Sequence, residues 1–155
     1  MLARIALILI SVSIILTSLP VSASERFDVK SMTDEANELL ESGDWKNSEE
    51  LLEKVIEFHT SRDLVTPRPI GSLLFRKGWC ELKQQKWAEA QKSFKWCYKK
   101  YPDIKKNPYH RLALRGWADA AMESGDLETA AKIYRKYIEE ASRTDWRNPF
   151  AKKPK

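Results

Sequence analysis

The residues able to do chemistry are few in this sequence, and their spacing does not suit it. His59 and His110 are the only imidazoles, and neither has a Cys, His or carboxylate at metal-ligand spacing. Each reads as a surface or capping side chain at a helix end. No glycine-rich segment of the kind that cradles phosphate occurs. Carboxylates are plentiful, but Glu35, Glu38, Glu41, Glu49, Glu50, Glu53 and Glu57 fall as solvated helix faces do. Lys54, four residues after Glu50, adds only a small pair energy. These residues predict no enzyme activity, no metal site and no cofactor.

The elements that must carry these residues begin with a segment to be set aside. Arg4 precedes an apolar run from Ile5 to Leu19, then Pro20 and the small residues Val21-Ser22-Ala23. That order is a secretory signal peptide, residues 1–23, cleaved after Ala23. The run is shorter than the roughly 20 residues that span a bilayer, so membrane contact is expected only through an uncleaved signal. The mature chain is therefore expected to be secreted or periplasmic, with no nucleic-acid partner. Residues 24–30 read as a linker, 31–142 as the folded domain and 143–155 as a basic tail.

Of 155 residues, 43% are apolar and 32% charged, an ordinary composition for one soluble domain. The net charge of +5 hides an asymmetry: residues 24–60 carry 4 basic against 11 acidic side chains, and 62–106 carry 12 against 4.

A skeleton recurs three times along the domain. Trp45, Ser48, Leu52 and Val55 are followed at the same steps by Trp87, Ala90, Phe94 and Cys97, and then by Leu127, Ala130, Tyr134 and Tyr137. Apolar residues fall at helical spacing throughout, and no stretch alternates with period two. Ser42-Gly43-Asp44 and Gly125-Asp126 break the stripes into pairs, which predicts helical hairpins over about 31–58, 72–101 and 110–141. Gly78 is placed opposite Ala90, and Ala118 opposite Ala130, where small residues let two helix axes approach. A lone hairpin leaves its outer stripe uncovered, so the copies must stack.

Cys80 and Cys97 invite pairing in an exported chain. If Gly78 lies level with Ala90, however, the two thiols stand roughly 13 Å apart along the axis. A disulfide needs Cα atoms within about 7 Å. Two unpaired, partly buried thiols are expected.

These residues resemble the tetratricopeptide repeat family. Leu74, Gly78, Trp87, Ala90, Phe94 and Pro102 carry the likeness in the second copy, and Ala118, Ala121, Gly125, Ala130 and Tyr134 in the third. The first copy keeps Ala36 and Gly43, with Ser48 in the usual alanine place. Lys77 and Glu81 depart from the pattern, and copies beginning at Trp45, Trp87 and Leu127 are spaced wider than the usual period of about 34 residues. Longer, proline-bearing junctions of this kind resemble those of bacterial envelope proteins.

The resemblance implies an all-α fold, a right-handed α-solenoid of three hairpins, and a scaffold for protein–protein interaction. Its concave face would be lined by Lys30, Thr33, Asn37, Leu40 and Glu41, by Ser72, Phe75, Trp79, Leu82 and Lys83, and by Leu112, Arg115, Asp119, Met122 and Glu123. Phe75, Trp79, Leu82 and Met122 would form an apolar centre for a protein or peptide ligand, with Asn37 beside it and Lys83, Arg115 and Asp119 as a charged rim. A shift of one residue in register would instead bury Trp79 in the core.

Two further readings stay open. The lysines of the second copy are either a solvated face or a patch for acidic protein, anionic lipid or wall polymer. In the latter case Trp96 and Trp79 would stack against glycan, the rival to a protein-binding scaffold. The last helix would turn Ile133, Tyr137 and Ala141 outward, to be covered by Trp146 and Phe150, by a partner, or by a second copy in a homo-oligomer.

Overall fold

The computed structural model describes residues 23–62, 67–100 and 109–143. Residues 1–22 of the expected signal segment, Trp146 and Phe150 lie outside the described residues. Six α-helices follow one another: α1 Ala23–Ser42, α2 Trp45–Ser61, α3 Pro67–Lys83, α4 Trp87–Lys100, α5 His110–Glu123 and α6 Leu127–Arg143. Among the described residues there is no strand. Each helix packs against its neighbours in sequence, and α3 also meets α5, so the three hairpins stack as an all-α repeat solenoid.

Two boundaries differ from expectation. Residues 24–30 are the first turns of α1 rather than a linker. Helix α3 begins at Pro67, not near Ser72. Pro67 and Pro69 fall in its first turn, where backbone N–H groups have no intrahelical acceptor, so proline opens a helix there instead of breaking it.

The three hairpin turns share one backbone solution. Gly43 (φ +84°) and Gly125 (φ +82°) sit in the left-handed region just past α1 and α5. The amide after each reaches back to close the helix, Asp44 N to Leu39 O at 2.9 Å and Asp126 N to Ala121 O at 3.0 Å. Asp44 and Asp126 then cap the next helix by accepting from Asn47 N and Thr129 N. In the middle hairpin Gln85 takes the same conformation (φ +61°) without glycine's freedom, and Lys86 N donates to Glu81 O at 2.9 Å.

Phe94 is the centre of the core. Fully buried, it presses its ring between two glycines: a Cβ on Gly78 would lie 2.9 Å from the ring, and one on Gly116 2.6 Å. The close approach expected at Gly78 is therefore made to Phe94, and Gly116 completes the slot from the next hairpin.

The first junction is built differently. Ser48 is buried and donates to Ala36 O at 2.8 Å across the first hairpin, while Cys80 Sγ reaches Ser48 Oγ at 3.6 Å from the second. Glu81, 1% exposed, accepts from Lys77 Nζ at 2.9 Å. Lys77 also lies 3.6 Å from Glu53 of α2, and Glu49 accepts from Gln84 and Lys86 at 2.6 and 2.7 Å. Burial pushes the Glu81 carboxyl above its ordinary range, against the pull of Lys77 and Ser93. Burial alone would lower the Lys77 ammonium, but its hydrogen bond and charge contact with Glu81 hold it above the usual value.

Cys80 and Cys97 are not joined in a disulfide, as the hairpin spacing predicts, and both are fully rather than partly buried. Cys97 Sγ faces Gly71 O at 3.2 Å, so the thiols serve different contacts. Ile133 does not face outward: it is 5% exposed and joins the core, and Tyr137 packs beside that core. The large apolar side chains that α6 exposes are Leu127 and Ile138, and Ala141 is half-buried.

Candidate protein-docking face

The first helices α1, α3 and α5 carry the side chains expected to meet a ligand, and a chain of three rings, Tyr109, Phe75 and Phe94, joins this face to the core. Phe75 packs at 5.8 Å from Phe94, tilted, and stacks at 5.3 Å on Tyr109, just before α5. Beside them Trp79 and Leu40 complete an apolar hollow of about 300 Å³, edged by Arg76. Trp79 is half-buried and lines this hollow instead of the core, so the shifted register does not hold. Lys83 Nζ lies 4.9 Å from the Trp79 ring, a cation–π contact at the rim.

The structure thus brings Phe75, Trp79 and Lys83 together, but not the whole expected centre. Leu82 is half-buried against the core, Met122 is 44% exposed, and neither lines the hollow. Asn37 is half-buried outside it. Arg115 is exposed, 3.8 Å from Asp119. Asp119 in turn accepts from the Tyr134 hydroxyl, so this rim carboxylate also ties α5 to α6. Burial, and then that bond, push the Tyr134 hydroxyl up to about 12.

Tyr109 and Arg76 were not among the expected contacts. Arg76 follows Phe75 on the same helix, but Tyr109 reads in sequence as linker, and only the stacking on Phe75 reveals its place.

His110 is a correction of another kind. It is no surface cap: it is 4% exposed, stacked at 4.3 Å on Tyr98, with Nε2 3.4 Å from Glu140 Oε2. Tyr98 donates to the other oxygen of Glu140 at 2.5 Å. Glu140 lies thirty residues downstream, so no local spacing announces the group. Among the described residues no cluster of three or more His, Cys, Asp or Glu is placed to hold a metal ion.

The repeated hairpins, the Gly78–Phe94 contact and the aromatic first-helix face agree with a comparison of sequence: residues 75–145 match the tetratricopeptide repeat. Over this part of the chain the match supports a tetratricopeptide repeat protein. No curated protein and no solved structure matches the chain. Tetratricopeptide repeats generally mediate protein–protein interaction, and the family is typically a non-catalytic scaffold. The matched segment opens at Phe75, inside the hollow, and includes Trp79, Tyr109 and the wedge of Phe94 between its glycines. Among the described residues no helix is long and apolar enough to cross a membrane.

Proposed function

We propose that the protein is an exported scaffold that docks a segment of a partner protein on the concave face formed by α1, α3 and α5. The observation that carries this reading is the hollow lined by Leu40, Phe75, Trp79 and Tyr109. Aromatic rings held on a packed core lose little freedom when a ligand covers them, and rings surrounded by polar groups carry most of the binding energy at such surfaces. Arg76 at the edge of the hollow and Lys83 over the Trp79 ring supply cations there, which suits a segment with an apolar anchor and acidic or carbonyl-rich flanks.

A photo-cross-linking amino acid at position 79 in cells tests the reading. The expected result is a discrete protein adduct, absent when the cross-linker is placed at Glu57 of α2. Trp79→Ala should abolish binding of the partner so identified and leave the melting temperature within about a degree, since Trp79 does not pack in the core. Adducts equal at both positions would end the reading.

Export is part of the proposal and rests on the order of Arg4, the apolar run and Ala23. Sequencing the N-terminus of the protein from cells should give Ser24, whereas a start at Met1 contradicts cleavage. The rival, a glycan or anionic-surface binder, is favoured by Trp96, 40% exposed among Lys92, Lys95, Lys99 and Lys100.

A further inference from the structure

A second surface lies away from the hollow, between the second helices α4 and α6, where a groove of about 670 Å³ opens. Its walls are lysines: Lys92, Lys95 and Lys99 from α4, and Lys132 and Lys136 from α6. Its floor is apolar and aromatic, with Leu114 and Trp117 of α5 and Tyr98 of α4. The lysines fold over that floor: Lys95 Nζ lies 5.5 Å from the Trp117 ring and Lys136 Nζ 4.7 Å from the Tyr98 ring.

The charges are poorly balanced. Among the described residues none of these five ammoniums is within salt-bridge distance of a carboxylate, whereas Lys77 has Glu53 and Glu81 and Lys86 has Glu49. The one carboxylate lining the groove, Asp126, is engaged in capping α6 through Thr129 N.

We infer that this groove binds an acidic amphipathic helix of a partner protein. Three features select that occupant. The lysines step by three and four residues along α4 and by four along α6, so the ammoniums form two rows along the groove, about a turn apart. Acidic residues flanking a helical apolar stripe repeat at the same interval. The half-buried Trp117 ring, with Tyr98 at its edge and fully buried Leu114 behind, offers an apolar stripe its counterpart, which a purely charged polymer would not use. A bilayer surface would reach the lysine tips and exposed Trp96 but not the half-buried Trp117 between the helices. A second copy of the chain is the poorer fit, because the acidic outer face of α1 (Asp34, Glu35, Glu38) has no apolar stripe of its own to bring.

The test measures binding of a fluorescent, helix-forming peptide in which a leucine stripe is flanked by glutamates, using the full protein. Controls are a scrambled peptide of the same composition and vesicles rich in phosphatidylglycerol. The expected result is saturable binding of the amphipathic peptide, at least tenfold weaker for the scrambled one. The double substitution Lys95→Glu and Lys132→Glu, both at exposed positions, should weaken it by a further factor of about ten or more. Trp79→Ala should leave it unchanged, which separates this surface from the concave hollow. Equal binding of the scrambled peptide would reduce the groove to a non-specific cationic patch and overturn the inference. So would vesicle binding that the peptide does not displace, or self-association of the protein lost with the same lysines.

Discussion

The two junctions of the stack solve one packing problem with opposite chemistry. Between the second and third hairpins a single ring, Phe94, fills a slot cut by Gly78 and Gly116. Between the first and second, the contact is polar: Ser48 with Cys80, and Lys77 with Glu53 and the buried Glu81. The apolar junction gains from area removed from water and fails when volume changes, whereas the polar one is only as good as its pairing. The family match covers the apolar junction and starts beyond α2, which follows from where the shared skeleton is kept most fully.

The largest effect is expected at the ring. Phe94→Ala should cost about 3–5 kcal/mol by denaturant unfolding, from lost burial and the cavity left between two glycines. Because Phe75 rests on Phe94, the same substitution should loosen the hollow and weaken partner binding.

At the polar junction, Lys77→Met strands the Glu81 carboxylate. The expected cost is about 3 kcal/mol at neutral pH, the low end for breaking a buried pair, because Lys77 keeps part of its exposure. The sign with pH follows from the raised Glu81 carboxyl. A buried acid whose folded pKa exceeds its unfolded value costs stability as pH rises from the unfolded to the folded pKa, and returns it as pH falls back through that window. Unfolding of Lys77→Met measured down to mildly acidic pH should therefore show the loss shrinking. Adding Glu81→Leu should recover most of it at neutral pH.

A smaller effect is expected at Gly116→Ala, about 1–2 kcal/mol after the helix-propensity gain. The new methyl meets a ring that Gly78 blocks on its other side. Ser48→Ala sharpens the contrast from below. It deletes the hydrogen bond to Ala36 O and the weak one accepted from the Cys80 thiol, and restores the family's usual alanine, so a cost of about 1 kcal/mol is expected in the same unfolding assay.

What could be read from sequence follows the same division. Helix pairing, a close approach at Gly78 and the separation of the two thiols rest on helical spacing, which one sequence carries, whereas the partner at Gly78 was expected to be Ala90 and is the Phe94 ring. Gly116 escaped notice because the shared pattern places its small residue two positions later, at Ala118. Lys77 and Glu81 stood out as departures, but their burial depends on Glu53 and Ser93 arriving from other helices. His110 was misjudged for the same reason, since Tyr98 and Glu140 meet it only in three dimensions. The prolines of α3 misled because proline ends a helix interior yet suits a first turn. On the docking face, Phe75, Trp79, Lys83 and Leu40 followed from the repeat register, whereas Tyr109 did not.

Hydroxyl-radical footprinting of the full protein, read side chain by side chain, tests most directly whether the first-helix face is open around a sealed core. Trp79 and Met122 should be oxidised readily while Phe94 stays protected, and Tyr109 should fall between them. If Trp79 were as protected as Phe94, the protein's own side chains would already fill the place assigned here to a partner.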